Sequence, residues 1–513
     1  MFRIIKDKIL GKQPVKHEKY SLSKSLDKNI QLFQSILNND DTIIYREFES
    51  KSKDSVKFCI IFDKNLAKMT TIDDYVIKAI RQKEFSTDVP PKKRIDLLLK
   101  KIIITCDNRR TSDLDEIFGF LFYGNTILLI DGVDEAILIC TKEWHQRSIT
   151  EPEAERVIRG PKEGFIESIE VNYTLIRRKI RNPDLKFRFK EVGNRTKTRV
   201  CICYIEGLAS EKIVKELNKR IEGIDIDGIL ESGYIEELIK DSPLSPFKTI
   251  GNTERPDVVA AKLLEGRVAL LVDGTPHVLT LPYIFIEYFQ FNEDYYTNFY
   301  YSTINRWLKY LGFFISTSVP ALYIALTTFH QEMIPTPLLL SISASREGVP
   351  FPTIVEALFM LIAFEILREG GVRLPSPVGS AISFVGAVIL GQAAVEARFV
   401  SAPIVIVIAL TGISNFLIPK MLGSLIIMRT IFLFLSAFLG LYGYIFGVIG
   451  LFIHLLSMRS FGIPYMLNFT SITDEDVKDT AIRAPWWLMH FRPKLIGKKD
   501  SERQSDYTVT RRR

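Results

Sequence analysis

The sequence lacks the short motifs that identify the common classes of catalytic and metal sites. It contains no HExxH, no GxSxG, no pair of CxxC motifs, no Walker A motif and no GxGxxG fingerprint. Cysteine is scarce, and its settings are apolar and strand-like, which suits reduced core thiols. The five cysteines are Cys59, Cys106, Cys140, Cys201 and Cys203. We therefore expect no catalytic residues, no metal site and no cofactor.

The first twenty residues, MFRIIKDKILGKQPVKHEKY, lack an uninterrupted apolar run and a small-residue cleavage site. A secretory signal needs both. We therefore expect the front of the chain to lie in the cytoplasm. Charged residues recur up to about residue 305, as in a soluble region, whereas long apolar runs dominate from 310 to 458.

The stretch RVIRGPKEGF at 156–165 resembles a phosphate-binding loop in composition but not in spacing. A P-loop requires GxxxxGK[ST] between a strand and a helix, and here Gly160 and Gly164 are too close together. We interpret Arg159, Gly160, Pro161 and Gly164 as a structural joint that fixes two subdomains, or two subunits, relative to each other.

The segment after this loop predicts a helix with a basic end at Arg177, Arg178, Lys179 and Arg181. Such an end could bind anionic lipid or nucleic acid. Cations are favoured at a helix C-terminus in any case, so we expect a solvated helix end and no nucleic-acid partner.

Two separated blocks of the polar half are repeated 142 residues later. FLFYGNTILLIDGVDEAIL at 120–138 matches KLLEGRVALLVDGTPHVLT at 262–280, and CIIFDKNLA at 59–67 matches CICYIEGLA at 201–209. One shared offset indicates two related α/β subdomains, whose repeated cores cover roughly 56–140 and 198–282. Each predicts a strand, two helices and a hairpin closed by Asp-Gly.

The apolar half predicts a membrane domain at 306–458. Apolar runs long enough to span a bilayer indicate crossings at 310–329, 377–395, 402–419 and 425–458, the last being one long helix or two short ones broken near residues 442–443. The predicted fold is thus an α/β N-terminal region of two related subdomains followed by an α-helical polytopic membrane domain. The full division is a tail at 1–25, subdomains at 26–150 and 151–305, the membrane domain, and a basic C-terminal segment at 459–513.

Residues 335–371 are apolar but carry prolines and charges. Charged groups at membrane depth are tolerated only against protein or a water-filled cavity, so we interpret this segment as an embedded hairpin. Four crossings plus this hairpin keep both ends cytoplasmic, and six crossings would do the same. Glu365 has Arg368 nearby for a local ion pair, whereas Glu356 has no basic neighbour one turn away. We therefore take Glu356 as the better candidate for an ion path and Glu365 as chiefly structural; pairing of both with other helices is the alternative.

Two series of small residues predict close helix packing. The first ridge is Gly379, Ser383, Ala387 and Gly391, and the second is Gly440, Gly443, Gly447 and Gly450. His454 continues the second ridge, and we expect it to be hydrogen-bonded near the helix end.

Five stretches resemble the A subunits of GerA-type spore germination receptors. They are EPEAERVIRGPKEGFIESIEVNYTLIRRKIRNPDL, VGNRTKTRVCICYIEGLA, LREGGVRLPSPVGSAISFVGAVILGQAAVEA, FGIPYM and RAPWWLMHFRP. The resemblance implies a multi-pass protein of the spore inner membrane that responds to nutrients and starts ion release. It further implies a homo-oligomeric, ion-conducting ring that works with a transporter-like B subunit and a lipoprotein C subunit.

Three other functions fit parts of the sequence. A stage V sporulation AF-like protein, which assists dipicolinate release, shares this architecture. A secondary transporter would show inverted repeats in the membrane, but the repeat here is in the polar half. A non-conducting scaffold is the third alternative, and ion flux would distinguish it.

Overall fold

We describe the fold from a computed structural model. The structure describes residues 21–51, 56–82, 95, 98, 108–141, 155, 157–372, 376–467, 479–489 and 492, and only the backbone of 372 and 376–384. Residues 1–20 of the predicted N-terminal tail and most of the basic C-terminal segment lie outside the described residues. The elements of the first subdomain are α1 Leu26–Ile36, β1 Ile43–Glu49, β2 Lys57–Asp63, α2 at 69–81, β3 Asn108–Thr111, α3 Leu114–Leu121, β4 Thr126–Ile130 and β5 Ala136–Ile139.

The first subdomain is a five-stranded antiparallel sheet with the strand order β1-β2-β4-β5-β3. Alternation along β2 gives the sheet two buried faces, because successive side chains of a strand point to opposite sides. Phe58, Ile60 and Phe62 enter one core cluster. Cys59 and Ile61 enter the other, which packs against α1 and α3.

The second subdomain repeats this arrangement. Its elements are α4 Ile169–Lys179, β6 Leu185–Val192, β7 Thr198–Ile205, α5 Glu211–Glu222, α6 Ser232–Ile239, β8 Gly251–Thr253, α7 Pro256–Leu264, β9 Val268–Val272 and β10 Val278–Leu281. The strand order β6-β7-β9-β10-β8 matches the first sheet strand for strand. Cys201 and Cys203, two residues apart on β7, share one core face and are free thiols.

The repeat extends to a hydrogen bond between a turn and a distant helix. Asp131 accepts from the backbone N–H of Leu26, and Asp273 accepts from that of Ile169. Asp131 follows β4 and Asp273 follows β9. Each aspartate binds the first turn of the helix that opens its subdomain, α1 or α4. An aspartate in a turn usually hydrogen-bonds the backbone of its own turn, and that habit does not explain a bond to a distant helix. The repeated unit therefore begins at the opening helix, upstream of the repeated sequence blocks.

The helical region contains six helices in its described residues: α8 Phe299–Thr328, α9 Thr336–Arg346, α10 Thr353–Val372, α11 Ser376–Glu396, α12 Ala402–Asn415 and α13 Leu422–Ser457. Asn298 begins α8 by accepting a hydrogen bond from the N–H of Tyr300 at 3.0 Å, the usual role of a capping asparagine. By length and composition, Phe299–Thr328 and Pro419–Ser457 could each cross a membrane.

Helix α13 is two antiparallel halves rather than one long helix. Gly440 interrupts it with φ +63° and ψ −143°, a conformation that a residue with a Cβ rarely adopts. Beyond this break the chain turns back, so that the rings of Phe432 and Tyr444 lie 5.8 Å apart. Both ends of the hairpin reach one loop of the second subdomain: Ser424 donates to the carbonyl of Pro246, and His454 pairs with Ser245 at 2.9 Å.

The chain after α13 returns to the second subdomain. Phe461 enters the core of that subdomain, and the guanidinium of Arg220 lies 4.4 Å from its ring centre. Ser460 donates to the carbonyl of Thr249 and accepts from the N–H of Tyr283. The second subdomain is therefore attached to the end of the last helix through packed and hydrogen-bonded residues.

Candidate functional site: charged groups of the helical region

Glu365 joins two helices through a shared carboxylate. It lies on α10, and its Oε2 accepts from Nε of Arg368 at 2.7 Å. Its Oε1 accepts from Nη2 of Arg429, on the first half of α13, at 2.9 Å. The local pair expected from the sequence is present, and Arg429 is the additional partner that the sequence did not indicate. The arrangement supports a structural role for Glu365.

Glu356 is more deeply buried, with 1% of its surface exposed. Its Oε2 accepts from the backbone N–H of Ser401 at 2.8 Å, and its Oε1 lies 3.6 Å from Nε of Arg346. The basic group comes from α9, ten residues earlier, rather than from its own helix. Both carboxylates thus face other parts of the same chain, as in the alternative stated above.

Polar atoms around Glu356 are incompletely bonded. Among the described residues, four buried atoms here make no hydrogen bond: Tyr323 Oη, Arg346 Nε, Glu356 Oε1 and Ser401 Oγ. Buried polar atoms are normally bonded to protein or water. In the Glu365 group both carboxylate oxygens accept hydrogen bonds, whereas Glu356 Oε1 has only the ion pair with Arg346.

A second charged cluster joins α8 to the polar part of the chain. Arg306 is fully buried, with Nε 3.3 Å from Asp294 Oδ2 and Nη2 2.9 Å from Asp479 Oδ1. Lys309 lies 3.3 Å from Asp294 as well. Burial raises the pKa of Asp479, while Arg306 acts against the rise. From the sequence alone, Arg306 and Lys309 could be taken as the positive charges that keep one end of a membrane helix in the cytoplasm. In the structure they pair with the carboxylates of Asp294 and Asp479.

The loop at 157–165 and the preceding Glu155 contact the second subdomain and the start of the helical region. The guanidinium of Arg255 donates to the carbonyls of Glu155 and Pro161, and Lys420, just before α13, lies 2.5 Å from Glu155. Gly160 has φ +142°, and a Cβ placed on it would lie 2.9 Å from the Tyr296 ring.

The remaining joint residues differ in their surroundings. Gly164 is buried, whereas Arg159 is exposed. Position 156 lies outside the described residues.

The subdomain interface instead depends on Arg177, which the sequence suggested would be solvated. Its side chain is fully buried and pairs with Asp40, and Nε lies 3.9 Å from Asp63 Oδ2. The rings of Phe122 and Phe187 lie 4.6 and 4.7 Å from its guanidinium. Expectation and structure differ because both carboxylates belong to the first subdomain, more than 100 residues away. Burial raises the pKa of Asp63 to about 6, although Arg177 opposes the rise.

The first small-residue ridge ends in a helix contact. A Cβ on Gly391 would lie 3.4 Å from Val405 of α12, and Ala387 is half-buried. The side chains at Gly379 and Ser383 lie outside the described set. Gly412 was not anticipated: a Cβ there would overlap the Phe364 ring, so it sets the approach of α12 to α10.

Two of the four glycines in the second ridge, Gly443 and Gly447, lie between the two halves of α13, whereas Gly440 lies against the end of α8. A Cβ on Gly440 would lie 2.8 Å from the His330 ring, one on Gly443 would overlap the backbone of Leu435, and one on Gly447 would lie 2.9 Å from Phe432. Nothing lies within 4 Å of a Cβ on Gly450, which is exposed. Gly443 and Gly447 thus let the two halves of α13 pack together.

The described residues contain no group of three or more His, Cys, Asp or Glu side chains that could hold a metal ion.

Residues 31–495 match the family described as Bacillus/Clostridium GerA spore germination protein. Spore germination protein KA of Bacillus subtilis (strain 168) is 45% identical over 494 residues, covering 96% of this chain and 90% of that protein. The chain belongs to the GerA family.

A second GerA relative, the uncharacterized membrane protein YfkQ of Bacillus subtilis (strain 168), is 39% identical over 484 residues, covering 94% of this chain and 93% of that protein. A solved relative is the N-terminal domain of the A subunit of the Bacillus megaterium spore germinant receptor GerK3. It is 34% identical and covers 54% of this chain and 100% of that chain, with a TM-score of 0.42. The family predicted from the sequence motifs is confirmed.

Proposed function

We propose that this GerA-family chain is a membrane-embedded subunit of a nutrient-responsive spore germination receptor. The observation that carries the membrane location is the surface of residues 299–457. Large apolar side chains are exposed along its helices, among them Phe314, Ile366, Ile389, Ile406, Phe438 and Ile453. Monomeric soluble proteins rarely expose apolar patches of such extent, whereas a bilayer covers them. Kinship with a protein named as a membrane protein supports the same location.

Six helical segments would cross the membrane in this proposal. Helix α8 runs from the charged cluster at Asp294 to the break at Gly440, where a Cβ would lie 3.0 Å from Phe329. Helix α12 returns beside it, since a Cβ on Gly312 would lie 2.8 Å from Leu417. Helices α10 and α11 form a further pair, and the halves of α13 supply the last two segments.

An even number of crossings leaves the N- and C-terminal regions on one side. We assign that side to the cytoplasm of the spore core, and the membrane to the spore inner membrane. The segment at 335–371 then contributes one crossing helix, α10, instead of an embedded hairpin.

Ion conduction through a ring of identical subunits is the proposed mechanism, with B and C subunits as partners. Support comes from Glu356, whose Oε1 makes no hydrogen bond and has only the 3.6 Å ion pair with Nε of Arg346. One such carboxylate per subunit would form a ring of negative charge, which favours cations. Glu365, bonded on both oxygens, holds α10 against α13.

The test is ion flux through purified protein in liposomes. Glu356→Gln retains an acceptor for the Ser401 N–H and removes the charge, so we expect lower cation-over-anion selectivity with normal protein levels. Glu332→Gln, at an exposed carboxylate near the same end of the bundle, should leave selectivity unchanged. Unchanged selectivity in Glu356→Gln would remove Glu356 from the conduction path, and absence of any flux would favour a non-conducting scaffold.

A further inference from the structure

Leu244 is a large apolar side chain that is 100% exposed. It lies in the loop at 242–247, sequence SPLSPF, between α6 and β8. Ser245 N–H donates to the carbonyl of Ser242, which closes a turn with Leu244 at its tip. The turn holds Leu244 outward, away from the core of the second subdomain.

The loop lies beside the ends of two apolar helices. Ser245 pairs with His454, three residues before the end of α13, and Ser424, two residues after its start, donates to Pro246. At 1.5 Å per residue these contacts lie about 3 to 5 Å inside the helix ends. Exposed apolar side chains continue from this level along both halves, at Ile427, Ile453 and Leu456.

Proline and local hydrogen bonds leave the loop few free backbone N–H groups. Unsatisfied N–H groups are costly in a bilayer, and Pro243 and Pro246 have none. The N–H of Ser245 is bonded to Ser242, and that of Phe247 donates to Ser245 Oγ at 3.2 Å. Phe247 itself is buried against the bundle, which fixes the loop in place.

We propose that the loop at 242–247 inserts into the lipid interface, with Leu244 as its membrane contact. The second subdomain then touches the bilayer directly, in addition to its attachment through α8 and the chain after α13. The occupant of this face is lipid because the apolar surface is continuous with that of the α13 halves. This inference rests on the proposed membrane location.

The experiment places a cysteine-linked, environment-sensitive fluorophore on the full-length protein in phosphatidylethanolamine–phosphatidylglycerol liposomes. Leu244→Cys is compared with Ile431→Cys, on the exposed face of α13, and with Tyr75→Cys, on the first subdomain; their side chains are 44% and 57% exposed. Unsubstituted protein labelled in parallel gives the background from native thiols. Each sample is measured with and without brominated acyl chains.

We expect a shift of emission to shorter wavelength and bromolipid quenching at positions 244 and 431, with neither at position 75. Quenching at 431 but not at 244 would overturn the loop insertion and leave the membrane location intact. A shifted but unquenched probe at 244 would identify protein, not lipid, as the cover, and would also overturn the proposal. Loss of quenching at both positions would contradict the membrane location itself.

Discussion

Arg429 and Glu365 meet across two helices, with Nη2 of the arginine 2.9 Å from Oε1 of the carboxylate. Arg429 is buried, its side chain only 3% exposed, whereas Arg368, the other partner, has 21% of its side chain exposed. Loss of Arg429 would leave Glu365 only its local partner Arg368 and would remove the bond between α10 and α13. Breaking a buried pair costs roughly 3–5 kcal/mol, whereas exposed pairs contribute about 1 kcal/mol or less.

We therefore expect Arg429→Gln to lower the thermal unfolding midpoint of the detergent-solubilised protein much more than Arg368→Gln. Equal effects of the two arginine changes would contradict the assignment of Arg429 as the structural partner.

Gly412→Ala should destabilise the bundle, because the added methyl group would overlap the ring of Phe364. Overpacking of this kind typically costs about 1–3 kcal/mol. Gly450→Ala is the matched control, since nothing lies within 4 Å of a Cβ there. Alanine is favoured over glycine in a helix by about 1 kcal/mol, so this control should be neutral or stabilising. Thermal unfolding of both variants checks the contrast, and a reversed order would show that Gly412 does not set the helix approach.

Gly160→Val should impair folding or assembly. The positive φ of Gly160 and the nearby Tyr296 ring both disfavour a β-branched side chain, and such backbone strain costs on the order of 1–3 kcal/mol. Ile158→Val, at a 94% exposed position of the same loop, should be tolerated. Recovery of intact protein from membranes measures the difference. Saturable ATP binding that Lys162→Ala abolishes would instead support a nucleotide site and reject the joint.

The subdomain interface should weaken as pH rises through 6. The pKa of Asp63 is raised from 3.8 to about 6 by burial, so the folded chain keeps this proton to higher pH than the unfolded chain. The stabilisation from this group is complete below pH 3.8 and is lost as pH rises through the folded value. Two pKa units correspond to a change of about 3 kcal/mol.

The measurement is hydrogen exchange of the full chain at residues 36–42 and 185–190 between pH 4.5 and 7.5, corrected for the intrinsic exchange rate. The corrected protection of the native chain should fall relative to Asp63→Asn, which cannot titrate. Asp27→Asn, at an exposed aspartate, should keep the native pH dependence. Parallel pH profiles for the native chain and Asp63→Asn would show that Asp63 does not titrate in this range.

Local patterns in the sequence predicted much of the fold. The shared offset of 142 residues indicated two related subdomains, and the two sheets have the same strand order. One of the two helices predicted for the second subdomain is present as Glu211–Glu222, with Ile213, Leu217 and Ile221 buried. These features depend on periodicity over a few residues and on repeated blocks, both of which are visible in a linear chain. The family, too, followed from contiguous motifs.

Only the tertiary structure decided which charged side chains are buried and which partners they pair with. Arg177 reads as an ordinary basic helix end, yet it is buried because Asp40 and Asp63 approach it from the other subdomain. Glu365 obtains Arg429 from a helix 64 residues away. Burying a charge is costly unless a partner compensates it, and the sequence does not show which distant segment supplies that partner.

The course of the last helix was also open in the sequence. The glycines at 440, 443, 447 and 450 all permit a break or a close contact, and the sequence indicated residues 442–443 for it. The structure places the break at Gly440, where the backbone turns against Phe329 and His330 at the end of α8. Glycine made the turn possible, and the neighbouring helix α8 fixed its position, because a Cβ at Gly440 would collide with Phe329 and His330.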